Sequence, residues 1–308
     1  MRRRDAVELT CPAKVNLALS VASPMESGLH PIASWMVAVC FGDRLSIEGS
    51  DAACSTYDIR FDPGAPAGGH VDWPSEHDLS CRAHRLLEQR AGRSLPVSLR
   101  LRKNIPVGAG LGGGSSNAAA TLVALNRRFE LGFDRDELVR LGQHLGSDVG
   151  FLVCAVLGQP SVIVSGCGER LEPVAHADTM HLALVFPPLA CPTPDVYRQF
   201  DVMNVAPNAQ PDIAAVRSLA DPDGSMALFN DLAEAACVVR PQLRQYRSLL
   251  ERAVRQPVHV TGSGAAMFVL ASSAEEAALL ADKATAATGM PAVATRTMGE
   301  QRGSGVLG

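Results

Sequence analysis

At 308 residues, 47% of them hydrophobic and 19% charged, the chain has the composition of an ordinary globular protein and the length for two cores. A formal net charge of −4 gives no reason to expect nucleic acid, Arg2-Arg3-Arg4 reads as a solvated end, and no apolar run approaches the roughly 18 residues that cross a bilayer. Eight cysteines (Cys11, Cys40, Cys54, Cys81, Cys154, Cys167, Cys191, Cys237) show no C-x-x-C pair or zinc spacing, so most are expected to be small buried hydrophobes in a thiol-reducing, cytoplasmic setting.

In chain order, Val7 to Ser20 reads as a strand with a break at Pro12. Trp35 to Cys40 and Arg44 to Glu48 read as two more strands joined by a turn at Gly42-Asp43, and the Pro- and Gly-rich residues 62–75 as a surface loop. Leu79 to Arg90 is expected to be a helix with Leu79, Ala83, Leu86 and Leu87 on one face. Val97 to Arg102 alternates with period two, and Ala118 to Leu125 is a run of strong helix formers. Arg127 and Arg128 suit the C-terminal end of that helix, and Gly132 is placed to stop it. Asp134 with Glu137 forms a capping box ahead of Leu138, Leu141 and Leu145, and Gly146-Ser147-Asp148 marks another helix start. New strands follow at Val162 to Ser165 and His181 to Phe186, with a helix around Asp231 to Val238. Val258 to Thr261, Met267 to Leu270, a helix over Ala274 to Ala287 opened by Ser273 and Glu276, and Val293 to Thr297 form a split βαβ sandwich. A division near residue 160 gives two α/β domains, 1–160 and 161–308, and Gly299 to Gly308 reads as a frayed tail.

The chemistry concentrates between the period-two strand and the following helix. Five glycines fall in the seven positions from Gly108 to Gly114, and such a loop can wrap its backbone N–H groups around a phosphate while the next helix points its positive end at the same anion. No Gly-Lys-Ser/Thr follows, so this is not a Walker A loop. Lys14 sits between apolar strand neighbours; a catalytic cation and a snorkelling surface lysine are both open. Asp148 is either a helix-capping carboxylate or a base for an alcohol at the mouth of a buried helix. Thr261-Gly262-Ser263-Gly264-Ala265-Ala266 is either a plain hairpin turn or a loop that closes on a ligand.

Cys11-Pro12-Ala13-Lys14-Val15-Asn16-Leu17, Pro106 to Ala119 and Val260 to Ala265 together resemble the three signature blocks of the GHMP kinases. The longer loop through Gly114-Ser115-Ser116-Asn117-Ala118 and the block Leu145-Gly146-Ser147-Asp148-Val149 resemble the branch that phosphorylates a cytidine-diphosphate-linked sugar alcohol with ATP. The resemblance implies an α+β, two-domain fold, its first domain like ribosomal protein S5 domain 2 and its second a ferredoxin-like α/β sandwich. It implies that Asp148 takes the substrate hydroxyl proton, that Lys14 polarises that hydroxyl and steadies the transferring phosphoryl, and that Pro106, Val107, Gly108, Ala109, Gly110, Leu111, Gly112, Gly113, Gly114, Ser115 and Ser116 hold ATP phosphates bridged by Mg²⁺, whose protein ligands the sequence does not identify. Asn16, His30, Thr193 and Tyr197 match positions that line the acceptor site. The only partner so implied is that small molecule; a homodimer is left open. The departures fall in the substrate region rather than the nucleotide loop: Leu29 stands where a base-stacking tyrosine is usual, Gly150 where proline is, and Asp78 where asparagine is. Leu29 keeps open a kinase for a different small alcohol, and a non-catalytic sensor on the same fold is the remaining alternative.

Overall fold

The computed structural model describes residues 6–52, 54–175, 179–203, 210–221 and 227–300; the Arg2 to Arg4 run and the tail beyond residue 300 lie outside the described residues. Two long antiparallel strands, β1 (Val7–Val21) and β2 (Ile32–Gly49), form its spine. β1 is buried without interruption from Cys11 onward, because it is covered on both faces, and so departs from simple alternation. The expected two strands with a turn at Gly42-Asp43 are one continuous strand instead. Pro12 pairs with Gly42 and Ala13 with Val39, so a bulge absorbs the irregularity at Pro12 without reversing the chain.

The length of β2 lets it carry two neighbours on one edge. Its second half pairs with β4 (Val97–Lys103), which is joined in parallel by the edge strand β3 (Thr56–Phe61), absent from the sequence reading. Its first half pairs with β5 (Ser161–Gly166), itself paired with β6 (Arg170–Pro173). The expected division at 160 therefore falls ahead of two strands that still belong to the first sheet.

Helices α1 (Leu79–Ala91), α2 (Gly113–Arg128), α3 (Arg135–Gln143) and α4 (Ser147–Val156) cover this sheet. α2 packs on β1, α1 and α4 at once, which is why its run from Ser116 to Leu125 is buried all round. It ends at Arg128, ahead of Gly132; Glu130 (φ 49°) already takes the left-handed turn, with Gly132 (φ 77°) a second one in the connection. The capping box of α3 forms as expected, Glu137 N donating to Asp134 Oδ1 at 2.8 Å.

The second sheet comprises β7 (His181–Val185), β9 (His259–Val260), β10 (Met267–Ala271) and β11 (Ala292–Arg296) in the antiparallel order β11-β7-β10-β9. Helix α9 (Ala274–Thr288) packs on it, capped by Ser273 as the sequence indicated. Helices α5 (Thr193–Met203), α6 (Ile213–Ala220), α7 (Ala233–Val239) and α8 (Pro241–Val254) fill the remaining chain, and β8 (Phe229–Asn230) returns to pair with β1 at Ala18 and Leu19. One apolar cluster runs from Leu45 and Leu99 through Phe151 to Ala183 and Met267, so the two sheets share a core.

Candidate active site

The glycine loop joins β4 to α2, and a buried ionic pin fixes where it starts. Asp43, fully buried in mid-β2, accepts from Lys103 Nζ (3.0 Å), Asn117 Nδ2 (2.8 Å) and the backbone N–H groups of Asn104 (2.6 Å) and Ile105 (2.8 Å). Lys103 Nζ also donates to Asn117 Oδ1 at 2.7 Å, so charge and hydrogen bonds are met together, as a buried pair requires. The same carboxylate helps push the buried Cys11 thiol, raised first by desolvation, up to about 12.

Beyond the pin, Gly108, Gly110 and Gly112 all have positive φ. A Cβ on Gly110 would stand 2.5 Å from Thr261 O, so glycine is required there for backbone to meet backbone. The Thr261–Ala266 turn docks on the loop, Ala266 N donating to Ala109 O at 3.0 Å, and Asn230 Nδ2 braces it from behind through Val260 O and Gly262 O. The turn is a hairpin between the antiparallel β9 and β10, and it also packs on the glycine loop, with Gly262 and Ser263 in the cleft lining.

Lys14 lies against the loop, its backbone N donating to Leu111 O at 3.0 Å, and is not a surface residue: its side chain is 6% exposed. Its Nζ donates to Asn16 Oδ1 at 2.7 Å, and Asn16 is held by donating from Nδ2 to Ser34 Oγ (2.8 Å) and from its backbone N to Thr261 Oγ1 (3.0 Å). Asp148 Oδ2 stands 3.7 Å from Lys14 Nζ, close enough for an ion pair and too far for a hydrogen bond. Asp148 lies in the first turn of α4, whose N-cap is Gly146 with no side-chain cap, so helix capping does not explain this carboxylate.

At the far end, the β1–β2 connection meets α5. His30 Nε2 is 2.8 Å from Asp201 Oδ1, and the His30 ring lies 4.8 Å from that of Tyr197. Burial, aided by the negative charge of Asp148, pushes the Tyr197 hydroxyl up to about 12, so it stays neutral. Thr193 and Ser263 share a 3.0 Å hydroxyl contact. Leu29 is 57% exposed.

One cleft of about 860 Å³ brings together Lys14, Asp148, Asn16, His30, Thr193, Tyr197 and the loop from Pro106 to Ser115. Ser116 stands apart: it is buried behind the wall, and its Oγ has no hydrogen-bond partner. Sequence reasoning did not find the wall residues Lys103, Asp201 and Trp73, nor the buried Asp43 as a pin. Asp43 follows Gly42 and so reads as a turn residue, and its partner Lys103 is 60 positions away.

Among the described residues no three His, Cys, Asp or Glu side chains cluster as a metal cage. Mg²⁺ does not need one, since it keeps several waters and is ordinarily bound through one or two carboxylates plus substrate phosphates. The partly exposed Asp148 carboxylate is an oxygen donor of the right kind beside the loop, whereas the Ser116 hydroxyl is shut off behind the wall.

Residues 78–166 match the GHMP kinases N terminal domain family. A 4-diphosphocytidyl-2-C-methyl-D-erythritol kinase of Paenarthrobacter aurescens is 32% identical over 289 residues, covering 91% of this chain and 90% of that one. A crystal structure of 4-(cytidine 5'-diphospho)-2C-methyl-D-erythritol kinase superposes with a TM-score of 0.75 at 32% identity, over 95% of this chain and all of the other. A homoserine kinase from Cytophaga hutchinsonii shares the fold at 16% identity, with a TM-score of 0.68 and 98% of each chain covered.

Proposed function

Because the chain belongs to the 4-diphosphocytidyl-2-C-methyl-D-erythritol kinases, a branch of the GHMP kinases, we propose that it phosphorylates the 2-hydroxyl of 4-diphosphocytidyl-2-C-methyl-D-erythritol at the expense of ATP. The observation that carries this reading is the meeting, in one cleft, of the glycine loop with Lys14 and Asp148 at 3.7 Å.

When bound, ATP would supply the phosphoryl group and Mg²⁺ would neutralise charge on it. The loop from Pro106 to Ser115 and the first turn of α2 cradle the phosphates with backbone N–H groups. The acceptor hydroxyl sits between Asp148 and Lys14, whose separation leaves room for an oxygen that contacts both. Asp148 Oδ2 takes the hydroxyl proton as the oxygen attacks, and Lys14 meets the charge that develops on oxygen. Asn16 keeps Lys14 aimed by accepting one of its three donors, leaving the others for substrate. Of the chain's own side chains, Asp148 is the oxygen donor in the cleft that would help to hold Mg²⁺, which would supply charge neutralisation for the transferring phosphoryl. His30 and Tyr197 form one aromatic wall for the cytosine, and Thr193 lies on the path of the diphosphate.

Coupled ATP consumption with the cytidine-linked substrate tests this directly, beside mevalonate, homoserine and simple sugars. Turnover confined to the first compound is expected. Activity only on another alcohol would favour the second reading, which the solvent-facing Leu29 keeps in play.

A further inference from the structure

We infer that Asn230, which lies outside the cleft, is a positioning residue of the phosphoryl transfer: it aims the backbone N–H of Ser263 at an oxygen of the bound acceptor beside Lys14. The inference rests on the kinase reading of the cleft. The strand that carries Asn230, β8, is two residues long, yet it is fixed to the strand that carries Lys14. Asn230 pairs with Leu19 of β1, and the next residue, Asp231, donates its N–H to Leu19 O at 3.0 Å and accepts from Val21 N on Oδ2 at 2.9 Å. The Asn230 carboxamide is then used completely. Its Oδ1 accepts from Leu232 N at 2.9 Å, and its Nδ2 donates to Val260 O and Gly262 O, both at 2.8 Å. A backbone N–H needs the oxygen and two carbonyls need the nitrogen, so the isosteric aspartate could serve only the first of the three.

Peptide geometry carries this grip to the reacting groups. The Gly262–Ser263 peptide is trans, so its C=O and its N–H point to opposite sides. Asn230 holds the carbonyl from behind, where it borders a separate cavity of about 220 Å³, and the Ser263 N–H therefore points the other way, toward the cleft that Gly262 and Ser263 line. Ser263 is 7% exposed, and among the described residues nothing accepts from its N–H. Buried backbone donors are nearly always paired, so a ligand oxygen is the partner this one lacks. Its neighbours fix the address. A Cβ on Gly262 would come 3.2 Å from Lys14 Nζ, and Ser263 Oγ meets Thr193 Oγ1 at 3.0 Å. The donor thus lies between the ammonium of the reacting pair and the residue on the path of the diphosphate. A polyol reaching from one to the other presents hydroxyl oxygens along that line, and a preorganised N–H there draws it against Lys14 and Asp148.

Steady-state kinetics of the full-length protein with ATP and the cytidine-linked substrate test the assignment. Asn230→Asp keeps the acceptor for Leu232 N and sets an oxygen against two carbonyls, which releases the Gly262–Ser263 peptide. Its kcat should fall on the order of 100-fold, as for a misplaced oxyanion-type donor, with a much smaller change in the calorimetric affinity for ATP. Ser263→Ala removes the hydroxyl and keeps the N–H, so it should lose less; equal losses would place the effect in the hydroxyl and overturn the assignment. A merely structural brace would lower the melting temperature and leave the kcat of the folded variant at the wild-type value, which would overturn it too. Should Asn230→Asp fail to fold, the wild-type protein decides. With its serines labelled with ¹⁵N, the Ser263 amide proton, identified by its loss in Ser263→Ala, should move downfield when the cytidine-linked substrate is added without ATP. A Ser263 amide unmoved by saturating substrate would overturn the assignment while leaving the kinase reading intact. Absence of wild-type turnover on any alcohol would instead overturn the kinase reading and this inference with it.

Discussion

The two walls of the cleft are built in opposite ways. The wall proposed for phosphate is backbone, placed by buried, mutually bonded groups: Asp43, Lys103 and Asn117 are all at least 96% buried, and Gly110 touches the neighbouring turn main chain to main chain. The acceptor wall is side chain, contributed by the β1–β2 connection and α5, with Leu29 57% and the Asp201 side chain 36% exposed. Changes on the first wall are therefore felt by the fold, and changes on the second by the choice of substrate. Lys14 and Asp148, the proposed reacting pair, stand at the join.

The largest effect is expected at that join. Asp148→Asn keeps the shape of the side chain and removes its ability to take a proton, so turnover should fall on the order of 10³- to 10⁴-fold. Calorimetric ATP affinity should stay near wild type, and full turnover in the variant would remove Asp148 from the mechanism. Next comes the pin. Lys103→Met leaves the buried Asp43 charge uncompensated, at a cost of about 3 to 5 kcal/mol in denaturant unfolding. Adding Asp43→Leu should recover only part of that, because the Asn104 and Ile105 N–H groups then lose their acceptor. Full recovery would show that the pin is merely a buried pair and does not set the loop.

A smaller contrast lies within the glycines. Gly110 and Gly132 have nearly equal φ, 76° and 77°, but a Cβ on Gly132 meets nothing within 4 Å. Gly132→Ala should cost about 1 kcal/mol of stability from backbone strain alone. Gly110→Ala should add displacement of the Thr261 turn and raise the KM for ATP several-fold beyond it. Equal effects on ATP KM at the two positions would mean that the close approach at Gly110 is not what shapes the phosphate wall.

This difference between walls also governed what could be read from the chain. The phosphate wall is written in consecutive residues: a period-two strand, a glycine run and a helix, each with its own local signature, so loop and flanking elements were legible together. The pin was not, since Asp43, Lys103 and Asn117 meet across the sheet, and nothing local to Gly42-Asp43 distinguishes a turn from a buried carboxylate whose partners lie 60 residues away. Helices α5 and α8 have no place in the sequence reading; each carries a proline in its first turn, Pro194 and Pro241, where it loses no helical hydrogen bond. Strand β3 has no place in the sequence reading although Tyr57, Ile59 and Phe61 alternate with Asp58 and Arg60 at the period of a half-buried strand. On the acceptor wall His30, Thr193 and Tyr197 came from the resemblance alone, and Asp201, bonded to His30 across 171 positions, had no signal at all.

The finest test of the contrast is Leu29→Tyr. The Leu29 side chain faces solvent, and the turn around it is held through backbone, Met25 N donating to Leu29 O at 2.8 Å, so the exchange should leave the melting temperature unchanged. Tyr197 and His30 already pack against each other and present one aromatic wall; a ring at position 29 supplies a second surface for the base. An aromatic pair contributes about 0.5 to 1.5 kcal/mol beyond area burial, and exposure places this case at the lower end. The KM for the cytidine-linked substrate should accordingly drop roughly two- to five-fold, with the KM for ATP unmoved. Were ATP binding to change instead, the two walls would be coupled through the β1–β2 connection and the division between them would fail. Were neither to change, the base would have to lie away from Leu29, with Tyr197 and His30 holding it from one side.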